Sequence, residues 1–113
     1  MNKLITLAFV VLFQFSNAQQ GTYWIVLKDK GTTSYSLNQP ERFLSAKAIQ
    51  RREQQHIPIT TGDLPVNPSY IMQIKKTGVQ VLNCSRWFNT IAIVTDDTKK
   101  IDAIKELSFV KEV

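Results

Sequence analysis

The segment that decides the fold runs from Arg42 to Tyr70 and reads RFLSAKAIQRREQQHIPITTGDLPVNPSY. It joins two predicted helix starts through a linker punctuated by prolines. Pro58 disfavours helical geometry at the residue before it, so the first helix has to end in front of that position. Pro68 suits the first turn of a helix, where its missing N–H costs nothing, so a second helix opens there. The segment therefore predicts one helical crossover that is split into two helices.

Capping residues predict where these helices begin and end. Asn38 offers an N-cap with Glu41 three residues later, and Asn67 precedes Pro68 at the second helix. Gly78 is expected to end the second helix in the left-handed conformation that glycine adopts readily. The first helix carries one apolar stripe at nearly helical spacing, made of Phe43, Leu44, Ala48 and Ile49.

Four short apolar or β-branched runs predict strands, at residues 23–28, 79–82, 90–95 and from 109 onward. A third helix between the last two strands repeats isoleucine and leucine every three residues, and Thr95 or Asp96 is its expected N-cap. With the helix pair counted as one crossover, the order is βαββαβ. This order predicts an α+β fold, a ferredoxin-like sandwich with a split first crossover.

Both faces of the predicted sheet are apolar. Trp24 and Val26 alternate with Ile25 in the first strand, and Ala92 and Val94 alternate with isoleucines in the third. In a ferredoxin-like fold the helices cover one face only, so an apolar second face indicates a partner surface. A terminal tail or a second copy of the chain could cover that face instead. The candidate docking residues are Trp24, Val26, Trp87, Phe88, Ala92 and Val94.

The N-terminus has the pattern of a secretory signal peptide. Lys3 precedes an apolar run from Leu4 to Phe15, and small residues prepare a cleavage between Ala18 and Gln19. The run is too short for a membrane anchor, because a spanning helix needs about 20 apolar residues. We therefore expect a signal peptide at 1–18 and one domain at 19–113, exported to the periplasm, the cell envelope or the medium, without a stable membrane anchor.

Charge and cysteine content exclude several classes of protein. The net charge of +5 becomes +4 once Lys3 leaves with the signal peptide, and the basic residues are spread along the chain, so nucleic-acid binding is not expected. The single cysteine, Cys84, excludes an intramolecular disulfide and is expected to be a small core residue. One histidine and one cysteine cannot form a zinc site, and no glycine-rich phosphate loop is present, so no metal or cofactor is expected.

Five segments together resemble the N-terminal prodomains of exported bacterial subtilisin-like (S8) serine peptidases, a peptidase inhibitor I9-like domain. They are residues 23–28, 44–52, 57–59, 63–68 and 85–89. The resemblance implies an intramolecular chaperone and inhibitor that docks its open sheet face on the catalytic domain, places its C-terminal tail in the active-site cleft and is released by autocleavage. The chain stops at Val113 before any such tail, which favours an N-terminal fragment of a peptidase precursor.

The catalytic residues of that family are not recognisable in this chain. Its members carry Asp-Ser/Thr-Gly, His-Gly and Gly-Thr-Ser contexts, whereas His56 precedes Ile57 and Asp97-Thr98 precedes Lys99. The fragment is therefore expected not to be an enzyme, although its parent is expected to be a serine endopeptidase. Two alternatives remain: a stand-alone secreted protease inhibitor, or an envelope adhesion or interaction module.

Overall fold

The computed structural model describes residues 20–113, which form four strands and three α-helices. They are β1 (Gly21–Leu27), α1 (Ala46–Gln54), α2 (Pro68–Lys76), β2 (Gln80–Ser85), β3 (Thr90–Thr95), α3 (Thr98–Lys105) and β4 (Val110–Glu112). This order confirms the predicted α+β arrangement with a split first crossover. The predicted signal peptide and its cleavage junction, Ala18–Gln19, lie outside the described residues.

The four strands form one antiparallel sheet in the order β2-β3-β1-β4. As in a ferredoxin-like fold, β1 and β3 are the central strands, and β2 and β4, which follow the two helical crossovers, are the edge strands. In the central pair, Trp24 stands opposite Ala92 and Ile25 stands opposite Ile91. Because residues that face each other across a ladder point to the same side, this register sorts every side chain of β1 and β3 onto one of two faces.

The hydrophobic core lies between one face of the sheet and helices α2 and α3. Ile25, Ile91 and Ile93 from the sheet are fully buried, as are Ile74 of α2 and Ile104 of α3. Each such side chain contributes about 1.5–3 kcal/mol of transfer free energy. The ring of Tyr70 stacks on Phe109 with centroids 4.0 Å apart, which joins the start of α2 to the start of β4.

Helix α1 begins later than the sequence predicted and stays outside this core. The expectation that Asn38 is its N-cap was wrong: Pro40–Arg42 forms a separate 3-10 turn, and α1 is capped by Ser45, whose hydroxyl accepts a hydrogen bond from the Ala48 N–H. Phe43 is buried between the two segments in a non-helical conformation, so burial of this ring interrupts the helix. No residue of α1 itself is fully buried.

The capping predictions for α2 were correct, and those for α3 were not. The Asn67 side chain accepts a hydrogen bond from the Ser69 N–H at 2.8 Å, and Gly78 has a φ of 97° after the helix. At α3 the cap is Asp97, whose carboxylate accepts from the Lys99 N–H at 2.9 Å, rather than Thr95 or Asp96.

Cys84 also departs from expectation. It lies opposite Ile91 but on β2, one of the two edge strands of the sheet, where it is exposed rather than part of the core. An edge position leaves one side of a residue without a neighbouring strand, which explains the exposure. Among residues 20–113, none of the helices has the length and apolar character needed to cross a bilayer.

Candidate protein-docking site

An apolar strip runs across the sheet face that the helices leave open. We call it the open-face strip and define it by Trp24, Val26, Ala92 and Val94, which the β1–β3 register places on one side. The Trp24 side chain remains 56% exposed in the middle of the sheet, and Val26 and Val94 are half-buried. Ala92 is only 2% exposed because it is small and lies directly opposite the tryptophan. The strip therefore presents one large aromatic ring flanked by two valines.

The border of the open-face strip is mostly polar, apart from Leu82 of β2, which is 49% exposed where the register shifts before Asn83. Gln80 of β2 lies opposite Val94, and Asn83 lies opposite Ala92. Glu112 of β4 lies opposite Val26 on the other flank. An apolar centre with a polar rim is the composition expected of a surface that binds another protein.

The other two predicted docking residues lie beyond the strands, in the turn between β2 and β3. Trp87 and Phe88 are 67% and 80% exposed. The indole N–H of Trp87 donates to Asp63 Oδ1 at 3.3 Å, so this ring is turned toward the linker between α1 and α2. The structure therefore brings four of the six predicted residues together and separates Trp87 and Phe88 from them.

A buried carboxylate behind the turn was not anticipated from the sequence. Asp63 is 4% exposed, and its two oxygens accept from the Arg52 guanidinium at 2.8 and 3.1 Å. Oδ2 also accepts from the Thr60 N–H at 2.9 Å, and together with Trp87 this makes four hydrogen bonds. The Thr60–Asp63 spacing of three residues is that of a capping box, which was the one local signal available.

These contacts set the charge state of Asp63. Burial alone raises the pKa of the carboxyl, but the hydrogen bonds from Thr60 and Trp87 and the charge of Arg52 lower it more, so the pKa lies below its ordinary value of 3.8. Asp63 is consequently ionised near neutral pH and fixes both the end of α1 and the Trp87 ring.

Arg86 extends the network on the other side of the turn. Its guanidinium donates to the carbonyl oxygens of Phe43 and Asp63 and lies 5.6 Å from the centre of the Trp87 ring. The Lys30 ammonium donates to the Arg86 carbonyl. Burial, followed by repulsion from Arg86, lowers the pKa of Lys30. The side chains of Arg52, Arg86 and Lys30 thus connect the turn and the linker around the Asp63 carboxylate.

His56 is exposed in the turn after α1, where its φ is 55°. Within residues 20–113 no three His, Cys, Asp or Glu side chains come close enough to hold a metal ion. The described part of the site presents an apolar surface on a four-stranded sheet.

A comparison with known protein families gives one result. The family model described as the peptidase S8 propeptide domain of Bacteroidota matches residues 22–113. The matched range contains the open-face strip and the Asp63 network, and it confirms the resemblance noted in the sequence. No curated protein and no solved structure matches the chain.

Proposed function

The chain belongs to the family of S8 peptidase propeptide domains of Bacteroidota, and we propose that it serves its cognate catalytic domain as a folding chaperone and inhibitor. The domain binds through the open-face strip and has no peptidase activity of its own. The predicted signal peptide would direct the export of this domain together with its catalytic domain.

The exposure of Trp24 is the observation that carries this proposal. A tryptophan that is 56% exposed in the middle of a central strand leaves a large aromatic surface in water. Half-buried Val26 and Val94 extend the same surface. Covering it with a partner removes apolar area from water, at about 25 cal/mol per Å², and tryptophan is among the residues that most often dominate binding energy.

Binding of this kind supports both parts of the proposed role. A domain that binds the folded catalytic domain and not its unfolded chain shifts the folding equilibrium by mass action. The same complex can block the substrate cleft if a segment of the domain lies across it, and an extended segment does so by strand pairing. Chaperone and inhibitor activity therefore share one interface and should be lost together.

The test is to titrate the purified chain, without its predicted signal peptide, into the cognate catalytic domain. We expect saturable binding, faster recovery of denatured catalytic domain and slower hydrolysis of a peptide substrate. Trp24→Asp should weaken the affinity by roughly 30-fold, which corresponds to the loss of about 2 kcal/mol typical of a central contact. The faster recovery and the inhibition should then require correspondingly higher concentrations of the chain.

A matched control is Met72→Asp, which makes a similar change at a 59% exposed position on α2. It should bind as the unmodified chain does. Failure of the unmodified chain to bind the catalytic domain would reject the proposed function. It would favour a separate protease target or an envelope interaction as the role of the strip.

A further inference from the structure

A concave surface lies beside the β2–β3 turn, where α1 approaches the sheet. A cleft of about 520 Å³ separates α1 from the β2–β3 turn, and we call it the α1 cleft. Its walls are formed by Leu44, Ala48, Arg51, Ile57, Arg86 and Trp87. The turn side of this cleft is held by the hydrogen bond from Trp87 to Asp63 and by those from Arg86 to the carbonyl oxygens of Phe43, before α1, and Asp63, in the linker.

The apolar side chains of the α1 cleft are only partly buried by packing within the domain. Helix α1 has no fully buried residue, and Leu44 and Ala48 are half-buried. Ile57, which is 46% exposed, and Trp87, which is 67% exposed, line the same cleft. These side chains are anchored but leave apolar surface in water, which is the condition of a surface that binds a further group.

The charged part of the α1 cleft is uniformly positive. Arg51 is exposed and makes no ion pair among residues 20–113, while Arg86 bonds only to backbone carbonyls there. The charge of Arg52, which also lines the cleft, is neutralised by Asp63. No Asp or Glu side chain of the described residues lines the cleft.

We propose that the α1 cleft binds a peptide segment in which an Asp or Glu carboxylate stands beside an apolar side chain. The carboxylate pairs with Arg51, because a guanidinium binds a carboxylate through two parallel hydrogen bonds. The neighbouring apolar side chain lies against Ile57 and Trp87. A segment without the carboxylate would leave Arg51 unpaired, so the cleft should bind segments that carry a carboxylate more tightly than those that do not.

The occupant is a surface segment of the same catalytic domain that docks on the open-face strip, so this inference rests on the proposed function. The β2–β3 turn connects the two surfaces. Ser85 and Thr90 pair at the turn end of the open face, and Trp87 between them is turned to the cleft. A partner that covers the end of the strip is therefore adjacent to the cleft.

The experiment titrates two charge reversals, Arg51→Glu and Lys105→Glu, against the cognate catalytic domain and compares them with Trp24→Asp. Arg51→Glu should weaken binding at least tenfold, and its affinity should depend less on salt than that of the unmodified chain, since one screened ion pair is gone. Lys105→Glu makes the same charge change on α3, away from the cleft, and should stay within twofold. Because Arg51 and Lys105 are both exposed, thermal unfolding should show that the two charge variants are folded.

A second measurement identifies the group that Arg51 meets. Arg51→Lys keeps the charge and supplies an amine, which a carbodiimide joins to a carboxylate in contact with it. Mass spectrometry should find position 51 linked to an Asp or Glu of the catalytic domain.

The outcomes separate the two proposals. If Trp24→Asp weakens binding while Arg51→Glu does not, the α1 cleft plays no part and only the docking face stands. If Arg51→Glu and Lys105→Glu weaken binding equally, the effect is one of net charge, and the cleft proposal is rejected. If the unmodified chain does not bind the catalytic domain, both proposals fall.

Discussion

Arg52 and Asp63 are joined by two side-by-side hydrogen bonds, 2.8 and 3.1 Å long, across the split crossover. Asp63 is almost fully buried, and the arginine side chain is 21% exposed. Because α1 has no fully buried residue of its own, this ion pair is a principal attachment between the helix and the rest of the domain. The geometry of both the α1 cleft and the β2–β3 turn depends on it.

Removal of the carboxylate should therefore destabilise the domain. Asp63→Ala leaves the Arg52 guanidinium half-buried without its counter-charge and removes the acceptor of Trp87 and Thr60. We expect a loss of about 2–3 kcal/mol in the free energy of unfolding. This is below the full cost of breaking a buried pair because Arg52 retains some contact with water. Urea unfolding followed by tryptophan fluorescence measures the change.

Asp102→Ala is the matched control, since Asp102 is an exposed carboxylate on α3. Its cost should stay below about 0.5 kcal/mol. Equal effects of the two variants would contradict the role given to the Arg52–Asp63 pair.

Stability should also fall in acid because of the same carboxyl. The folded-state pKa of Asp63 lies below the unfolded value of about 3.9. Its contribution is thus complete above that pH and is lost as the pH falls through the folded pKa. The unfolding free energy of the natural chain should decrease more steeply below about pH 4 than that of Asp63→Asn, which has no group to titrate there. Urea titrations between pH 6 and pH 2.5 provide the comparison, and parallel curves for the two proteins would disprove this assignment.

The fold was predictable because its signals are local. Alternation in β1 and β3 and the capping residues around α2, Asn67 and Gly78, are read within a few positions of the chain. The start of α1 was missed because both Asn38 and Ser45 have the chemistry of an N-cap. Burial of Phe43, a tertiary effect, decides in favour of Ser45.

The polar network was not predictable for a different reason. Asp63 lies 11 residues from Arg52 and 24 residues from Trp87 in the sequence, so no spacing rule connects them. The same holds for Arg86, whose acceptors are 43 and 23 residues away. The open-face strip, in contrast, follows from the period of two along each strand, which is why four of its candidate residues do meet on one face.

The edge position of Cys84 predicts that its thiol can be modified in the folded protein. The residue is exposed, although burial of its sulfur raises the pKa of the thiol and Lys75 offsets only part of this. A maleimide should therefore react with one thiol per native chain. The rate near neutral pH should be slower than that of the unfolded chain, because the thiolate is the reactive form. If the protein reacts only after urea is added, the Cys84 thiol is buried in the folded state and this prediction is wrong.

Gly31 is the glycine whose replacement should cost most. Its φ is 60°, and an added Cβ would lie 2.2 Å from Tyr70 Oη and 2.9 Å from Asn67 Nδ2. The Tyr70 hydroxyl cannot move freely, because it donates to Asp29 and its ring is stacked on Phe109. Gly31→Ala should therefore lower the free energy of unfolding by about 2–3 kcal/mol, through backbone strain together with displacement of the tyrosine.

Gly62→Ala is the appropriate comparison for this prediction. An added Cβ at Gly62 meets only Thr60 Oγ1, at an ordinary 3.6 Å, and the backbone there is not left-handed. Its effect on the unfolding free energy should stay within about 0.5 kcal/mol, since the added methyl also restricts the unfolded chain. Thermal melts of the two variants measure the difference, and a Gly31→Ala protein as stable as Gly62→Ala would mean that Tyr70 is not held in place by Asp29 and Phe109.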